Sequence, residues 1–277
     1  AAELSACEVD GLQPSAVVRP GTTVEVAEIL ALASAERLAV IPMGGRTKLG
    51  IGMPPRRYDL ALDLTRMDRV LAFDPADLTL GVEPGVRFAQ LEQHLAAKRQ
   101  FLPLAPAFAA RATLGGIIAA SADSPLRHAY GSARDQLLGM EFVTGAGVTA
   151  KSGGRVVKNV TGYDIHQLLA GSLGTLAVIT RLNFRTFPLP SQERMFVATF
   201  TGKEGALELC RAIGKSQLQP RMVEAFSPGA AKVLRVARLP LDRWAVAVTA
   251  AGHGAVVARH EQELSRLARE LSASDFT

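Results

Sequence analysis

The sequence predicts an α+β protein in two parts, with residues 1–190 separated from residues 191–277 by a break near Pro190. Three observations point there. Up to Phe184, short β-like runs alternate with helical patterns and glycine-rich loops. Pro188-Leu189-Pro190 then interrupts the pattern, because such a segment continues neither a helix nor a central strand. Past it the rhythm becomes strand, helix, strand, helix, strand, helix, a compact unit of ordinary domain size.

Ala16-Val17-Val18 reads as the first strand. After Pro20-Gly21, Thr22-x-x-Glu25 has the form of a capping box, in which hydroxyl and carboxylate satisfy the first free amides of a helix. Ile29, Leu30 and Leu32 are expected on the apolar face of that helix. Leu38–Pro42 reads as a buried strand running into a glycine loop. Further strands are expected over Asp59–Leu64, Val70–Phe73 and Leu78–Val82. Phe88, Leu91 and Leu95 share one face of a helix over Arg87–Arg99. Leu137–Thr144 and Val148–Ala150 flank Gly145-Ala146-Gly147, which signals a hairpin, and Thr175–Phe184 is the last strand of the larger part. In the smaller part, strands are expected over Met195–Phe200, Arg221–Phe226 and Trp244–Thr249, with a helix over Glu204–Gly214. The final helix carries His260, Leu264, Leu267 and Leu271 at helical spacing, and His94 and His260 are expected at or near the surface.

Composition bounds the function. Hydrophobic residues make up 48% and charged residues 21% of the 277, as in an ordinary soluble globular protein. Aromatic residues are only 5%, and the net charge of +5 is scattered among acidic residues rather than gathered on one face, so nucleic acid is not an expected partner. Cys7 and Cys210 stand far apart without a CxxC or a histidine cluster, which suits neither a zinc site nor a disulfide framework. Apolar runs such as Leu114–Ala122 are too short to span a bilayer, and the N-terminus lacks the basic-then-apolar pattern of a leader. The expectation is a cytoplasmic protein that does not itself insert into a membrane. No GxGxxG follows a strand, no HExxH or GxSxG occurs, and Gly214-Lys215-Ser216 has Leu209 where a P-loop needs its first glycine.

Two segments carry the chemistry. Pro42-Met43-Gly44-Gly45-Arg46-Thr47-Lys48 follows a strand directly; its glycines let the backbone approach a ligand and present consecutive N–H groups, with Thr47, Arg46 and Lys48 adding a hydroxyl and charge. A plain surface turn is the simpler reading of such a loop in isolation. About seventy residues on, Thr113 is placed to cap a short helix whose first turn holds Gly115 and Gly116, so that free amides and a favourable dipole could receive a phosphate. Close packing of a buried helix is the alternative. A third stretch sets Lys158, Asn159, Tyr163 and Asp164 amid apolar neighbours, where each needs a partner if buried, and a structural network accounts for them.

Taken in order, PMGGRT, ATLGG, the Gly131-Ser132-x-Arg134-Asp135 stretch, KNVTGYD and GSLGTLAVIT resemble the vanillyl-alcohol-oxidase family, the flavoproteins of the p-cresol-methylhydroxylase FAD fold. The resemblance runs from about Val17 to Pro190, and KNVTGYD with a short remainder is most similar to the FAD-binding (E-type) subunits of bacterial glycolate oxidases. It implies a two-subdomain FAD-binding domain followed by a small, half-size α+β cap domain. It also implies that the Gly44–Lys48 loop and Thr113–Gly116 hold the FAD pyrophosphate, that Ala120, Ser121, Val178 and Ile179 lie near the adenine or the isoalloxazine, and that Ala105-Pro106 lies near the flavin.

Two departures from the family bear on mechanism. Relatives that tether FAD do so through a His after the paired glycines, or a His or Cys ahead of the second segment; here Arg46 and the run Ala105–Ala112 stand there, so the FAD is expected to be non-covalent. Catalytic relatives also carry a large cap with the groups that bind and deprotonate a 2-hydroxy acid. Here only the short part after Pro190 follows, with no such set; Arg221, Glu224 and Arg235 are candidates, more simply read as solvated. The resemblance therefore implies a redox subunit of a glycolate-type oxidase complex, with a larger flavoprotein subunit and an iron–sulfur subunit as partners through which it could associate with a membrane. A non-catalytic assembly subunit and a stand-alone FAD oxidase remain as alternatives.

Overall fold

The computed structural model describes residues 2–155, 162–234 and 239–277. The chain forms two compact units, one of Ala1–Ser124 with Ser132–Pro188, the other of Pro125–Gly131 with Leu189–Thr277. Lys158, Asn159 and Arg235 lie outside the described residues.

The first unit opens with three parallel strands, β1 (Ala16–Val18), β2 (Val40–Met43) and β3 (Leu60–Asp63), in the order β1-β3-β2. The central β3 is buried at every position. At the edge, β2 is only half-buried until Met43, and Leu38 is exposed ahead of it, so the buried strand expected over Leu38–Pro42 starts later and lies shallower. The helix Thr23–Ala35 begins as expected: the Thr22 hydroxyl accepts from the Glu25 amide at 3.2 Å, and the Glu25 carboxylate accepts from the Gly21 amide at 2.7 Å. Its buried face is Val26, Leu30 and Ala33, packed with Leu62, Leu64 and Met67. Leu32 is 62% exposed, because the row that starts at Val26 steps by three and four residues and passes it by.

The rest of this unit supplies β4 (Val70–Asp74), β5 (Thr79–Val82), β6 (Gln100–Phe101), β7 (Leu137–Thr144), β8 (Thr149–Gly153), β9 (Ala177–Arg185) and β10 (Phe187–Pro188). Five of them form an antiparallel sheet, β4-β5-β9-β7-β8, while β6 pairs with β10. Leu80, Val82, Met140, Leu182 and Phe184 share one core with Phe88, Leu91 and Leu95 of the helix Phe88–Ala96, which are fully buried. Each of those three side chains stabilises the unit by about 2 kcal/mol relative to exposure. The short helix Leu114–Ala119 packs in the same core through Leu114, Ile117 and Ile118. Tyr163 is 91% exposed, yet its carbonyl accepts from the Ser152 hydroxyl at 3.0 Å, and that hydroxyl also meets His166 Nδ1 at 2.9 Å. Asp164 is exposed as well. The network expected there thus uses the backbone of Tyr163 and not its phenol.

The second unit is an antiparallel sheet of β11 (Gln192–Phe200), β12 (Met222–Phe226), β13 (Trp244–Gly252) and β14 (Asp275–Phe276), in the order β12-β13-β11-β14. Strand alternation sorts its faces: Val246, Val248 and Ala250 pack with the helices Lys203–Lys215 and Gly254–Glu270, while Ala245 and Ala247 pack with Ala231 of the helix Pro228–Leu234. His260 is 3% exposed, not a surface residue, because it lies on the face of its helix that carries Val257, Leu264 and Leu267. Its Nδ1–H donates to the Val256 carbonyl at 2.8 Å. Arg221 is not solvated either: its side chain is 10% exposed, ion-paired with Glu193, and its guanidinium lies 5.8 Å from the ring centre of Tyr130. Glu224 is half-buried on β12. Among the described residues no helix is long and apolar enough to cross a membrane.

Candidate functional site

At its carboxyl end, β2 delivers Met43 beside Asp63 and releases the chain into Gly44–Lys48. Arg46 turns with φ +56°, and the N–H groups of Gly44, Gly45, Arg46, Thr47 and Lys48 make no hydrogen bond among the described residues. Successive free amides around a left-handed residue form a concave nest for an anion. The glycines are required by contact. A Cβ on Gly44 would overlap the Thr113 hydroxyl, and one on Gly45 would lie 2.7 Å from the Arg111 carbonyl carbon and closer still to its oxygen. The two glycine segments, far apart in sequence, therefore touch.

The second segment differs from its expectation in one respect. Thr113 occupies the N-cap position, yet its hydroxyl caps nothing and is buried without a partner. The Leu114 and Gly115 amides are not free: they donate to the Val86 carbonyl at 2.9 Å and the Pro84 carbonyl at 2.8 Å. Gly115 allows this close docking, since a Cβ there would lie 2.6 Å from Pro84 Cβ. Of the first-turn glycines, only Gly116 keeps an unbonded N–H among the described residues.

A third segment closes the site. Gly171 and Leu173 donate their amides to the Ile118 and Ala119 carbonyls at 3.0 and 2.7 Å, satisfying acceptors that a helix end leaves open. Leu173 (φ +54°) and Gly174 (φ +75°) then turn the chain over the Pro42 ring into β9, where Val178 and Ile179 are buried. Leu173 and Gly174 line the cleft but were not expected there; the available signal was the close pair Gly171 and Gly174, which permits left-handed turns.

Together these segments bound a cleft with a cavity volume of about 440 Å³, which Pro42 through Lys48, Thr113, Gly116 and Ala120 reach. Its deeper wall is apolar and includes Leu64, Pro84, Val178 and Ile179. Ser121 faces Gly171 and is exposed outside the cleft, and Pro106 is buried away from its lining. Arg46 does not offer a free charge. Its guanidinium donates to Asp63 at 2.7 Å and to the Ala6 carbonyl at 3.3 Å. Burial pushes the Asp63 carboxyl up, but the Thr65 hydroxyl and amide, Arg19 and Arg46 outweigh it and hold it below the usual carboxylate range. Arg46 thus anchors the loop through a buried carboxylate, and Lys48 is left without an ion-pair partner among the described residues.

Free amides, an orphaned hydroxyl and one lysine beside an apolar slot fit a dinucleotide whose pyrophosphate needs donors and whose rings need apolar surface. The five-stranded antiparallel sheet, the small parallel sheet and this cleft define a flavoprotein of the p-cresol-methylhydroxylase type. A solved structure of p-cresol methylhydroxylase with substrate bound superposes with a TM-score of 0.80 over 96% of this chain and 58% of that one, at 19% identity. Residues 14–153 match the family described as FAD binding domain, and the chain belongs to that family. FAD is its cofactor.

Among curated relatives, glycolate oxidase subunit GlcD of Bacillus subtilis (strain 168) is 30% identical over 76% of this chain and 45% of its own length. Glycolate oxidase subunit GlcE of Escherichia coli (strain K12) is 31% identical over 68% of this chain and 52% of its own length. The chain thus spans about half the length of these relatives.

Proposed function

We propose that this chain is the FAD-binding redox subunit of a glycolate-type 2-hydroxy-acid oxidase or dehydrogenase, working in a complex with a larger flavoprotein subunit and an iron–sulfur subunit. The observation that carries the proposal is the contact of the two glycine segments through Thr113, which converts two separate loops into one oxyanion cradle. In this reading the amides of Gly44–Lys48, the Gly116 amide, the Thr113 hydroxyl and Lys48 hold the pyrophosphate. Val178 and Ile179 give a ring its apolar wall, with Ala120 at the rim. Bound FAD supplies acceptance of two electrons from the substrate carbon.

The chain's own residues do the holding. Asp63 fixes Arg46, Arg46 fixes the loop, and the loop presents its amides without rearrangement, which is what preorganised oxyanion binding requires. No histidine or cysteine lines the cleft among the described residues, which supports non-covalent FAD. Residues 1–190 act as the FAD domain and residues 191–277 as a half-size cap. The resemblance to GlcE and GlcD supports glycolate or a similar small 2-hydroxy acid as the substrate of the assembly.

Two measurements test this. Acid precipitation of the yellow protein should leave a colourless pellet and release free FAD; colour retained in the pellet overturns the non-covalent assignment. Anaerobic glycolate or D-lactate should bleach the flavin of the assembled complex. No bleaching even in the assembly would favour a scaffold role for this chain.

A further inference from the structure

Behind the glycine loop lies a second pocket of about 320 Å³. It shares Gly44, Gly45, Arg46 and Thr113 with the large cleft, so the loop is a common wall, but its other side is built from charge. Arg19, Arg46, Arg87 and Arg111 all line it, against the one carboxylate of Asp63. That carboxylate is already committed to Arg19 at 3.2 Å and Arg46 at 2.7 Å. The Arg87 and Arg111 side chains have no hydrogen-bond or ion-pair partner among the described residues.

Backbone geometry explains their convergence. Arg87 bridges Thr113 as an antiparallel pair, and the Phe88 amide donates to the Ala112 carbonyl at 2.9 Å. Arg111 ends the turn in which its amide and that of Ala112 both donate to the Phe108 carbonyl at 2.8 Å, two residues ahead of Thr113, and Arg87, Arg111 and Thr113 all line the pocket. The same wall holds a further buried donor without a partner, Arg46 Nε. Guanidinium groups gathered around a spent carboxylate repel one another, and the group that relieves this is an anion with two or more oxygens.

We propose that this pocket is an oxyanion subsite, distinct from the FAD cleft, in which Arg87 and Arg111 bind a small carboxylate or phosphate. It does not depend on the redox role proposed above, because the pocket is built from protein groups alone.

Calorimetric titration of the purified chain with D-lactate and with inorganic phosphate, at low ionic strength, tests it in the FAD-free and FAD-saturated forms. At least one anion should bind with a 1:1 stoichiometry in both forms, and the tighter of the two sets the ligand class. Arg87→Gln and Arg111→Gln should each weaken that binding tenfold or more while leaving FAD content unchanged, and Arg269→Gln, in the other unit, should leave it unaltered. The subsite is refuted if neither anion saturates, if the two pocket variants bind as the parent does, or if FAD saturation abolishes binding. That last result would make the pocket part of the cofactor site and would leave the FAD assignment standing.

Discussion

Gly45→Ala isolates the contact between the two glycine segments. A methyl group at Gly45 meets backbone: it would lie 2.7 Å from the Arg111 carbonyl carbon and 3.3 Å from Ala112 Cα, and it would overlap the Arg111 oxygen. Backbone atoms cannot rotate away as a flexible side chain can, so the loop has to retreat by roughly 1 Å from a close-packed neighbour. Such overpacking costs about 1–3 kcal/mol of folding stability. It also carries the free amides out of hydrogen-bond range of any oxyanion they share with Thr113. Losing one or two charge-assisted bonds, worth about 1.5–3 kcal/mol each, weakens FAD binding by about 3 kcal/mol, roughly a hundredfold. Fluorescence titration of FAD-free protein with FAD measures the affinity, and thermal unfolding measures the stability. Gly50→Ala is the control, since a Cβ there meets nothing within 4 Å. If Gly45→Ala binds FAD as tightly as Gly50→Ala and unfolds at the same temperature, the contact does not build the site.

Three further perturbations have signs that the structure sets. Thr113→Val removes a buried hydroxyl that has no partner, so FAD-free protein should unfold at an unchanged or higher temperature while FAD affinity, by the same titration, falls about tenfold. Asp63→Asn strands the Arg46 and Arg19 charges and should cost about 3 kcal/mol in denaturant unfolding at neutral pH. Because the folded Asp63 carboxyl is depressed, its stabilisation is present above the unfolded value and is lost as pH falls through the folded one; the variant should therefore lose less stability than the parent on acidification below about pH 4. Burial lowers His166, so the folded protein resists a proton that the unfolded chain accepts, and stability should fall as pH drops from about 6.5 through the lowered value. In His166→Gln, unfolding temperatures compared at pH 7.5 and pH 5.5 should show that part of the loss gone; an unchanged pH slope would remove His166 as its source.

Much of the architecture could be read from residue order. Period-two and helical patterns located the strands and the helix bearing Phe88, Leu91 and Leu95, because those patterns reflect burial of one face of a local element. Thr22 and Glu25 marked a helix start correctly because their partners lie within four residues. Failures came where the partner is distant. Leu32 and His260 were misplaced since which row of a helix meets a sheet depends on the sheet's position. Pro125–Gly131 joins the unit built from Leu189–Thr277, which no linear boundary could express.

The candidate site divides along the same line. Residue order alone determined the family resemblance, the two glycine segments and the lack of a tethering side chain at Arg46, because each is a matter of which residue types stand at which spacing. Only the tertiary structure decided which donors are free. It committed the Leu114 and Gly115 amides to Pro84–Val86 and the Arg46 charge to Asp63, and it left the Thr113 hydroxyl and the Gly44–Lys48 amides unbonded. The reason is physical: a side chain's type fixes what it can donate or accept, but whether that capacity is already used depends on groups tens of residues away that only folding brings within 3 Å.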